Sequence, residues 1–202
     1  CGINDLESIR ASSEADYIGF VFFQKSPRFV TAMKAKELAK FSKNKQKKVG
    51  LFVDADLNLI EHIVNYVGLD FIQLHGNEKL DELTKIKKKI KIPIIKAILV
   101  NSLEDIKLAH KFEKVCDMIL FDTKSPKKKI SGGTGLTFDW DLLQDYKASK
   151  DWMLAGGLNI NNIKVAINKT NAPIVDVSSG VEKSLGVKCQ KKIKELIYFV
   201  KN

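Results

Sequence analysis

Strand-like and helix-like segments alternate along almost the whole chain of 202 residues. Short apolar runs rich in β-branched and aromatic residues are each followed by a segment with helical spacing, such as the one that places Ile60, Ile63, Val64 and Val67 on one face. This alternation predicts parallel strands joined by helical crossovers, and runs that are apolar throughout are typical of strands covered on both faces. The predicted strands span residues 16–23, 48–54, 70–75, 92–100, 117–122, 152–155 and 173–177. The predicted helices span residues 5–14, 31–42, 56–67, 78–89, 102–113, 140–147, 159–168 and 190–200.

A chain that opens with a helix and then holds seven strand–helix units predicts an α/β fold, the (β/α)₈ or TIM barrel, with its first strand missing from the chain. In this interpretation Cys1 marks the carboxyl end of the missing strand. The main alternative is an open doubly wound sheet. No G-x-G-x-x-G motif follows the first strand seen, although the missing segment weakens that test. No linker divides the chain, so residues 1–202 are expected to form a single barrel domain.

The charge balance is strongly basic, with 34 Lys and Arg against 24 Asp and Glu and a net charge of +10. Only Arg10 and Arg28 are arginines, and the lysines are scattered. We interpret them first as a solvated surface and second as a positive field that attracts an anionic substrate. A nucleic-acid partner is not expected, because the lysine runs lack interleaved aromatic residues and a binding motif.

The three cysteines, Cys1, Cys116 and Cys189, have an irregular spacing that indicates neither a disulfide framework nor a zinc site. A reducing cytoplasm is therefore the expected location. No apolar run approaches the roughly 20 residues of a membrane span, and no secretory signal is visible, so no membrane partner is expected. A processed lipoprotein would also begin with Cys. This alternative ranks below a missing upstream segment, because a helical pattern starts by Asn4 where a flexible linker would be usual.

Residues able to carry chemistry stand where each predicted strand ends, and in a barrel those ends form the active-site rim. Cys1 and Asp122 are the two groups suited to proton transfer, the first as a thiolate base and the second as a carboxylic acid kept protonated by burial. On residue pattern alone, a small buried side chain and a helix cap or ion-pair partner are the stronger interpretations. The other rim candidates are Arg28, Gln73, His75, Gly156, Gly157, Asp176, Ser178, Ser179 and Gly180.

Two of these rim segments predict a phosphate site. Gly156 and Gly157 precede a predicted helix, and 178–180 end the next strand. Glycine lets main-chain N–H groups approach an anion, and barrels often bind phosphate after their last two strands. Either turn alone would be an ordinary turn. The long segment 123–137 also follows a strand end and is either a disordered surface loop or an active-site loop.

His75 is equally compatible with a structural hydrogen bond and with a substrate contact. The other two histidines, His62 and His110, fall within predicted helices. Together the three show no metal-ligand spacing, and the sequence therefore predicts no metal site.

The rim residues lie in short motifs whose order along the chain is that of the phosphoribosylanthranilate isomerases, which this sequence resembles over essentially its whole length. The motifs are C-G-I (1–3), G-F-V-F followed by K-S-P-R (19–28), G-L-F-V (50–53), Q-L-H-G (73–76), D-T (122–123), G-G-T-G-L-T-F-D-W (132–140), A-G-G-L (155–158) and D-V-S-S-G-V-E (176–182).

The resemblance implies a (β/α)₈ barrel that uses neither metal nor organic cofactor and serves tryptophan biosynthesis. The implied reaction converts N-(5′-phosphoribosyl)anthranilate to 1-(2-carboxyphenylamino)-1-deoxyribulose 5-phosphate by an Amadori rearrangement. It implies that Asp122 is the general acid that protonates the ring oxygen and Cys1 the general base that removes the C2′ proton. It implies that Arg28 contacts the anthranilate carboxylate as a planar two-pronged donor. The remaining rim residues are implied to hold phosphate (Gly156, Gly157, Ser178, Ser179, Gly180) or to line the pocket (Gln73, His75, Asp176).

Two departures from the family pattern stand out. The first strand, with its usual Lys before the Cys, is not in the chain, and Leu136 stands where the family often has Lys. Three other functions remain open: another phosphate-binding barrel such as a sugar-phosphate epimerase or a bifunctional isomerase of histidine synthesis, a non-catalytic basic binding protein, and an inactive paralogue. The sequence does not decide between a homodimer and a monomer.

Overall fold

The computed structural model describes residues 1–43, 45–124 and 136–202. Within these ranges seven parallel strands form one sheet whose spatial order follows the chain. The strands are β1 (Tyr17–Val21), β2 (Lys47–Phe52), β3 (Phe71–Leu74), β4 (Ile94–Val100), β5 (Met118–Thr123), β6 (Trp152–Leu154) and β7 (Ile174–Val175). The helices are α1 (Leu6–Ala11), α2 (Ala32–Ala39), α3 (Leu57–Val67), α4 (Leu80–Lys89), α5 (Leu103–Glu113), α6 (Ile163–Thr170) and α7 (Gln190–Lys201).

Side chains that alternate along the strands build two separate cores. Outward side chains such as Phe20, Phe52 and Phe121 are buried against the helices in the larger core. Inward side chains form a smaller core inside the curl of the sheet, as expected for a barrel whose interior is packed and not a pore. The inward core contains Val49, Ile95, Ala97, Met118, Leu120, Met153 and Ala155. The α/β barrel prediction is confirmed by this arrangement.

The curled sheet is open on one side, between β7 and β1. Residues 1–3 lie across the top of this opening: the main-chain nitrogen of Cys1 is 2.9 Å from the Val177 oxygen, and the Ile3 N–H donates to the Gly19 oxygen at 2.9 Å. Below them is a cavity of about 620 Å³ lined by both edge strands and by α7. This is the geometry predicted for an eight-stranded barrel without its first strand, with Cys1 at that strand's carboxyl end.

Local sequence signals explain where α3 begins and ends. The Asp56 side chain accepts hydrogen bonds from the N–H groups of Asn58 and Leu59, which caps the first turn. Gly68 ends the helix in a left-handed conformation with φ of 76°. None of the helices in the described part of the chain is both long enough and apolar enough to cross a membrane.

Two predicted helices differ from the structure. The helix expected over 140–147 is a short 3₁₀ turn, Trp140–Leu143, because Tyr146 turns inward to pack edge-on against Phe121 and Trp152. The helix expected from residue 159 begins at Ile163. The Asn162 side-chain amide donates to the Gly157 oxygen, and the residues before Ile163 form a turn instead of the first turn of the helix.

A second sheet was not predicted from the sequence. It is an antiparallel hairpin, β8 (Glu182–Ser184) and β9 (Val187–Lys188), that follows a 3₁₀ turn at Ser179–Val181. Gly186 makes its turn with φ of 77° and packs against the Pro27 oxygen. The hairpin therefore ties the end of the chain to the segment after β1.

Candidate active site

Asp122 stands at the carboxyl end of β5 and points into the barrel. Its Oδ1 accepts the main-chain N–H of Thr123 at 2.7 Å, and its Oδ2 lies 3.2 Å from His75 Nε2. His75 follows β3, and its Nδ1 is 2.9 Å from the amide nitrogen of Gln73. All three side chains are buried. A neutral imidazole that accepts the Gln73 amide at Nδ1 carries its hydrogen on Nε2.

Cys1 lies at the same rim, half-buried, at the top of the open side. Its thiol fits there because position 19 is glycine: a Cβ on Gly19 would be 2.9 Å from Cys1 Sγ. The next residue, Gly2, has φ of 74°, and a Cβ on it would be 2.7 Å from Cδ of Arg28. The C-G pair thus lets a thiol and an arginine stem approach the same turn.

Arg28 is 5% exposed and makes a two-pronged ion pair with Glu182. Its Nε donates to Oε1 at 2.6 Å and its Nη2 donates to Oε2 at 2.9 Å. The two-pronged face expected for the anthranilate carboxylate is therefore directed at a protein carboxylate.

The two predicted phosphate turns are brought together. Gly156 and Gly157 have φ values of 87° and 64°, and a Cβ on Gly180 would be 2.0 Å from the Leu158 oxygen. Gly180, at the end of the 178–180 turn, thus packs directly against the segment after β6. The helix N-terminus expected behind Gly157 is displaced, because α6 begins only at Ile163.

Lys188 is a buried cation beside these turns that sequence reasoning missed. Its Nζ lies 2.8 Å from the Ser178 oxygen, 3.3 Å from Ser178 Oγ and 2.9 Å from Glu182 Oε1. Burial lowers the pKa of Lys188, although the charges of Glu182 and Asp176 oppose the shift. Glu182 was also missed as a site residue. The sequence signal that could have identified Glu182 is its place as a charged residue directly after the small and apolar residues 177–181.

Asp176 and Asp54 differ in what their carboxylates contact. Asp176 follows β7 at the rim, half-buried, with its Oδ1 3.5 Å from the main-chain nitrogen of Cys1. Asp54 accepts the main-chain N–H of Asn77 at 2.6 Å and so holds the loop after β3. Asp176 therefore joins the candidate site, and Asp54 fixes a neighbouring loop.

The other two cysteines differ in position: Cys116 lies before β5, at the other end of that strand from Asp122, and Cys189 directly follows Lys188. Burial raises the pKa of the Cys116 thiol to about 11, and its Sγ donates to the Phe112 oxygen at 3.0 Å. Cys189 precedes α7. Among the described residues no group of three His, Cys, Asp or Glu side chains could hold a metal ion. Residues 125–135 of the predicted loop 123–137 lie outside the described ranges.

The chain is similar to proteins of one family throughout. A family model described as N-(5′-phosphoribosyl)anthranilate (PRA) isomerase matches residues 1–199. The N-(5′-phosphoribosyl)anthranilate isomerase of Paracoccus denitrificans is 42% identical over 200 residues, covering 98% of this chain and 93% of the relative. That of Paramagnetospirillum magneticum is 40% identical over 200 residues, with the same two coverages.

Solved structures agree with the sequence relatives. The phosphoribosylanthranilate isomerase of Thermotoga maritima has a TM-score of 0.89 at 37% identity, covering 100% of this chain and 96% of that one. A structure of a phosphoribosylanthranilate isomerase in complex with reduced 1-(o-carboxyphenylamino)-1-deoxyribulose 5-phosphate has a TM-score of 0.85 at 34% identity, with the same coverages. The chain belongs to the phosphoribosylanthranilate isomerase family.

Proposed function

We propose that Cys1 and Asp122 are the general base and the general acid of the isomerisation that this family catalyses. The supporting observation is the setting of Asp122, whose two oxygens lie against the Thr123 N–H and the His75 imidazole at the rim where Cys1 also stands. A buried carboxyl group at the strand ends of a barrel, where a substrate binds, suits proton exchange with that substrate. The thiol supplies a second proton-transfer group of the opposite role.

The reaction needs these two roles in sequence. Asp122 gives its proton to the furanose ring oxygen while the C1′–O bond breaks, and the anilino nitrogen lone pair forms the C1′=N bond of a Schiff base. Cys1, as thiolate, removes the C2′ proton, and that electron pair forms the C1′=C2′ bond as the C=N pair returns to nitrogen. The enolamine then tautomerises to the ketone at C2′. Each proton-transfer group of this kind contributes roughly 10²–10⁴-fold.

The two anionic ends of the substrate match the two cationic regions of the rim. Arg28 lies in the segment after β1 and suits the anthranilate carboxylate, while the paired turns at Gly156 and Ser178, with Lys188 beside them, suit the phosphate. Gln73, His75 and Asp176 line the space between these ends. The net charge of +10 favours the approach of a substrate with two anionic groups.

The test is steady-state turnover of freshly generated phosphoribosylanthranilate by a chain that carries the family's first strand, followed by chromatographic separation of substrate and product. Cys1→Ala and Asp122→Asn should each lower kcat by roughly 10²-fold or more. Cys116→Ser and Asp117→Asn are matched controls, because both residues lie just before β5, at the other end of the strand from Asp122. There Cys116 Sγ donates to the Phe112 oxygen at 3.0 Å and Asp117 accepts the Ile94 N–H at 3.0 Å. Unchanged kcat in both site variants would refute the assignment.

Turnover in the presence of EDTA should equal turnover without it. Loss of activity in EDTA would favour one of the metal-using barrels instead.

We further propose that the protein acts in the cytoplasm. Its oligomeric state, monomer or homodimer, can be measured by analytical ultracentrifugation, and one structural relative is described as generated monomers of a dimeric enzyme.

A further inference from the structure

Glu182 is the centre of a buried charge cluster for which the proposed reaction gives no role. Both of its oxygens are doubly satisfied: Oε1 by Arg28 Nε and Lys188 Nζ, and Oε2 by Arg28 Nη2 and the Gly186 N–H at 3.1 Å. The side chains of Arg28 and Glu182 are 5% exposed and that of Lys188 is fully buried. Such a carboxylate fixes the plane of the guanidinium that it binds.

The same cluster reaches the turn at the opposite end of the candidate site. Lys188 Nζ lies between Glu182 Oε1 at 2.9 Å and the oxygen of Ser178 at 2.8 Å. The chain of contacts therefore runs from Arg28 through Glu182 and Lys188 to Ser178. It joins the residue suited to the substrate's carboxylate to the turn suited to its phosphate.

A buried ion cluster contributes little net free energy to the stability of a hairpin. Removing three charges from water carries a large desolvation penalty, and apolar side chains of similar volume often stabilise a fold as well or better. The cluster places two cations, Arg28 and Lys188, within the protein at the rim where two anionic groups are expected to bind, with Glu182 and Asp176 as the nearby carboxylates. Binding of anions is a function that apolar packing could not replace.

We propose that Glu182 and Lys188 are positioning residues that hold the carboxylate-binding and phosphate-binding ends of the site as one unit. Glu182 orients the Arg28 guanidinium, and Lys188 anchors Glu182 to the Ser178 turn. This rests on the proposed roles of Arg28 and Ser178. The hairpin that carries both residues is held in place from outside the cluster by the Asn4 amide, which donates to the Gly186 oxygen at 3.0 Å.

The experiment compares the kinetics and anion binding of Glu182→Gln, Lys188→Met and Arg28→Lys with the wild type. Glu182→Gln should raise KM by about ten- to a hundred-fold, the value of a charge-assisted hydrogen bond, and change kcat by less than about three-fold. Anthranilate and inorganic phosphate, used separately as competitive inhibitors, probe the two ends. Arg28→Lys should raise only the inhibition constant of anthranilate, whereas Glu182→Gln should raise both.

Two controls separate positioning from stability. Glu113→Gln changes a glutamate that is buried like Glu182 and accepts the Tyr146 hydroxyl near the start of β5. It should lower the thermal midpoint without changing KM. The double variant Arg28→Lys/Glu182→Gln should have nearly the anthranilate inhibition constant of Arg28→Lys alone, because one contact is removed twice. Glu182→Asp serves in place of Glu182→Gln if the latter does not fold, with a smaller increase in KM.

Three experimental results would each overturn a different part of the account. A phosphate inhibition constant that Glu182→Gln leaves unchanged would overturn the link between the two ends. An anthranilate inhibition constant that Glu182→Gln leaves unchanged, or effects of the two single variants on that constant that multiply in the double variant, would overturn the positioning of Arg28 by Glu182. A folded wild type that does not turn over phosphoribosylanthranilate would instead overturn the proposed function.

Discussion

Replacing Gly156 with alanine tests how closely the turn after β6 packs against the end of β5. Gly156 has φ of 87°, and a Cβ there would be 2.3 Å from Thr123 Oγ1 and 2.7 Å from the main-chain nitrogen of Thr123. The hydroxyl can rotate away. The main-chain nitrogen cannot move without displacing the N–H that Asp122 Oδ1 accepts at 2.7 Å. The substitution should therefore affect both stability and the proposed general acid.

The magnitude follows from two separate costs. A left-handed conformation costs an L-residue about 1–2 kcal/mol. Forcing an added methyl group into a packed site costs about another 1–3 kcal/mol. For a chain of this length, at about 2–4 °C per kcal/mol, the sum lowers the thermal midpoint by on the order of 10 °C.

Gly68→Ala is the matched control, because it has the first cost without the second. Gly68 has φ of 76°, and no heavy atom of the described residues lies within 4 Å of a Cβ placed on it. Urea denaturation of both variants should show the larger loss for Gly156→Ala, and kcat/KM should fall about ten-fold or more only in that variant. Equal free energies of unfolding for the two variants, or unchanged kcat/KM in Gly156→Ala, would refute the reasoning.

Three further predictions concern buried groups. Burial would by itself raise the pKa of Glu182, but Arg28 and Lys188 hold it below its usual value of 4.5. The stability that Glu182 contributes is therefore present above about pH 4.5 and lost as the pH falls through the lowered pKa. Urea denaturation at a series of acid pH values should show a smaller decrease in the free energy of unfolding for Glu182→Gln than for the wild type. The same pH dependence in both proteins would contradict this. The Cys116 thiol, with a pKa raised to about 11 by burial, should react with iodoacetamide far more slowly in the folded than in the unfolded protein, as mass spectrometry of its peptide would show. Equal rates would mean that the site is open. His75→Leu removes the imidazole 3.2 Å from Asp122 and should lower kcat by about ten-fold or more with an unchanged circular dichroism spectrum, so full activity would exclude a role for that contact.

The strands were predictable from the sequence because each is a continuous apolar run. The prediction over 117–122 became Met118–Thr123, and that over 70–75 became Phe71–Leu74. The strand ends in turn located the candidate acid, because parallel strands bring their carboxyl ends to one rim. The local sequence pattern was therefore enough to predict the strands, because burial of both faces requires apolar residues along the whole strand.

Contacts between distant parts of the chain could not be predicted in this way. Arg28 and Glu182 are 154 positions apart, and the hairpin that carries Glu182 has too few apolar residues to show an alternating pattern. The pairing of His75 with Asp122 crosses the interior of the curled sheet, because β4 lies between their strands. The 3₁₀ turn at Trp140–Leu143 depends on where Tyr146 packs, which no local spacing reveals.

The order of the two proton transfers is the central claim, and a trapping experiment tests it most directly. Sodium cyanoborohydride reduces an open-chain Schiff base to a stable amine that mass spectrometry separates from substrate and product. Cys1→Ala should still open the ring and so accumulate the trapped amine well above the level without enzyme. Asp122→Asn should trap no more than that background. Equal trapping by the two variants would contradict the assignment of Asp122 as the acid that opens the ring and Cys1 as the base that follows it.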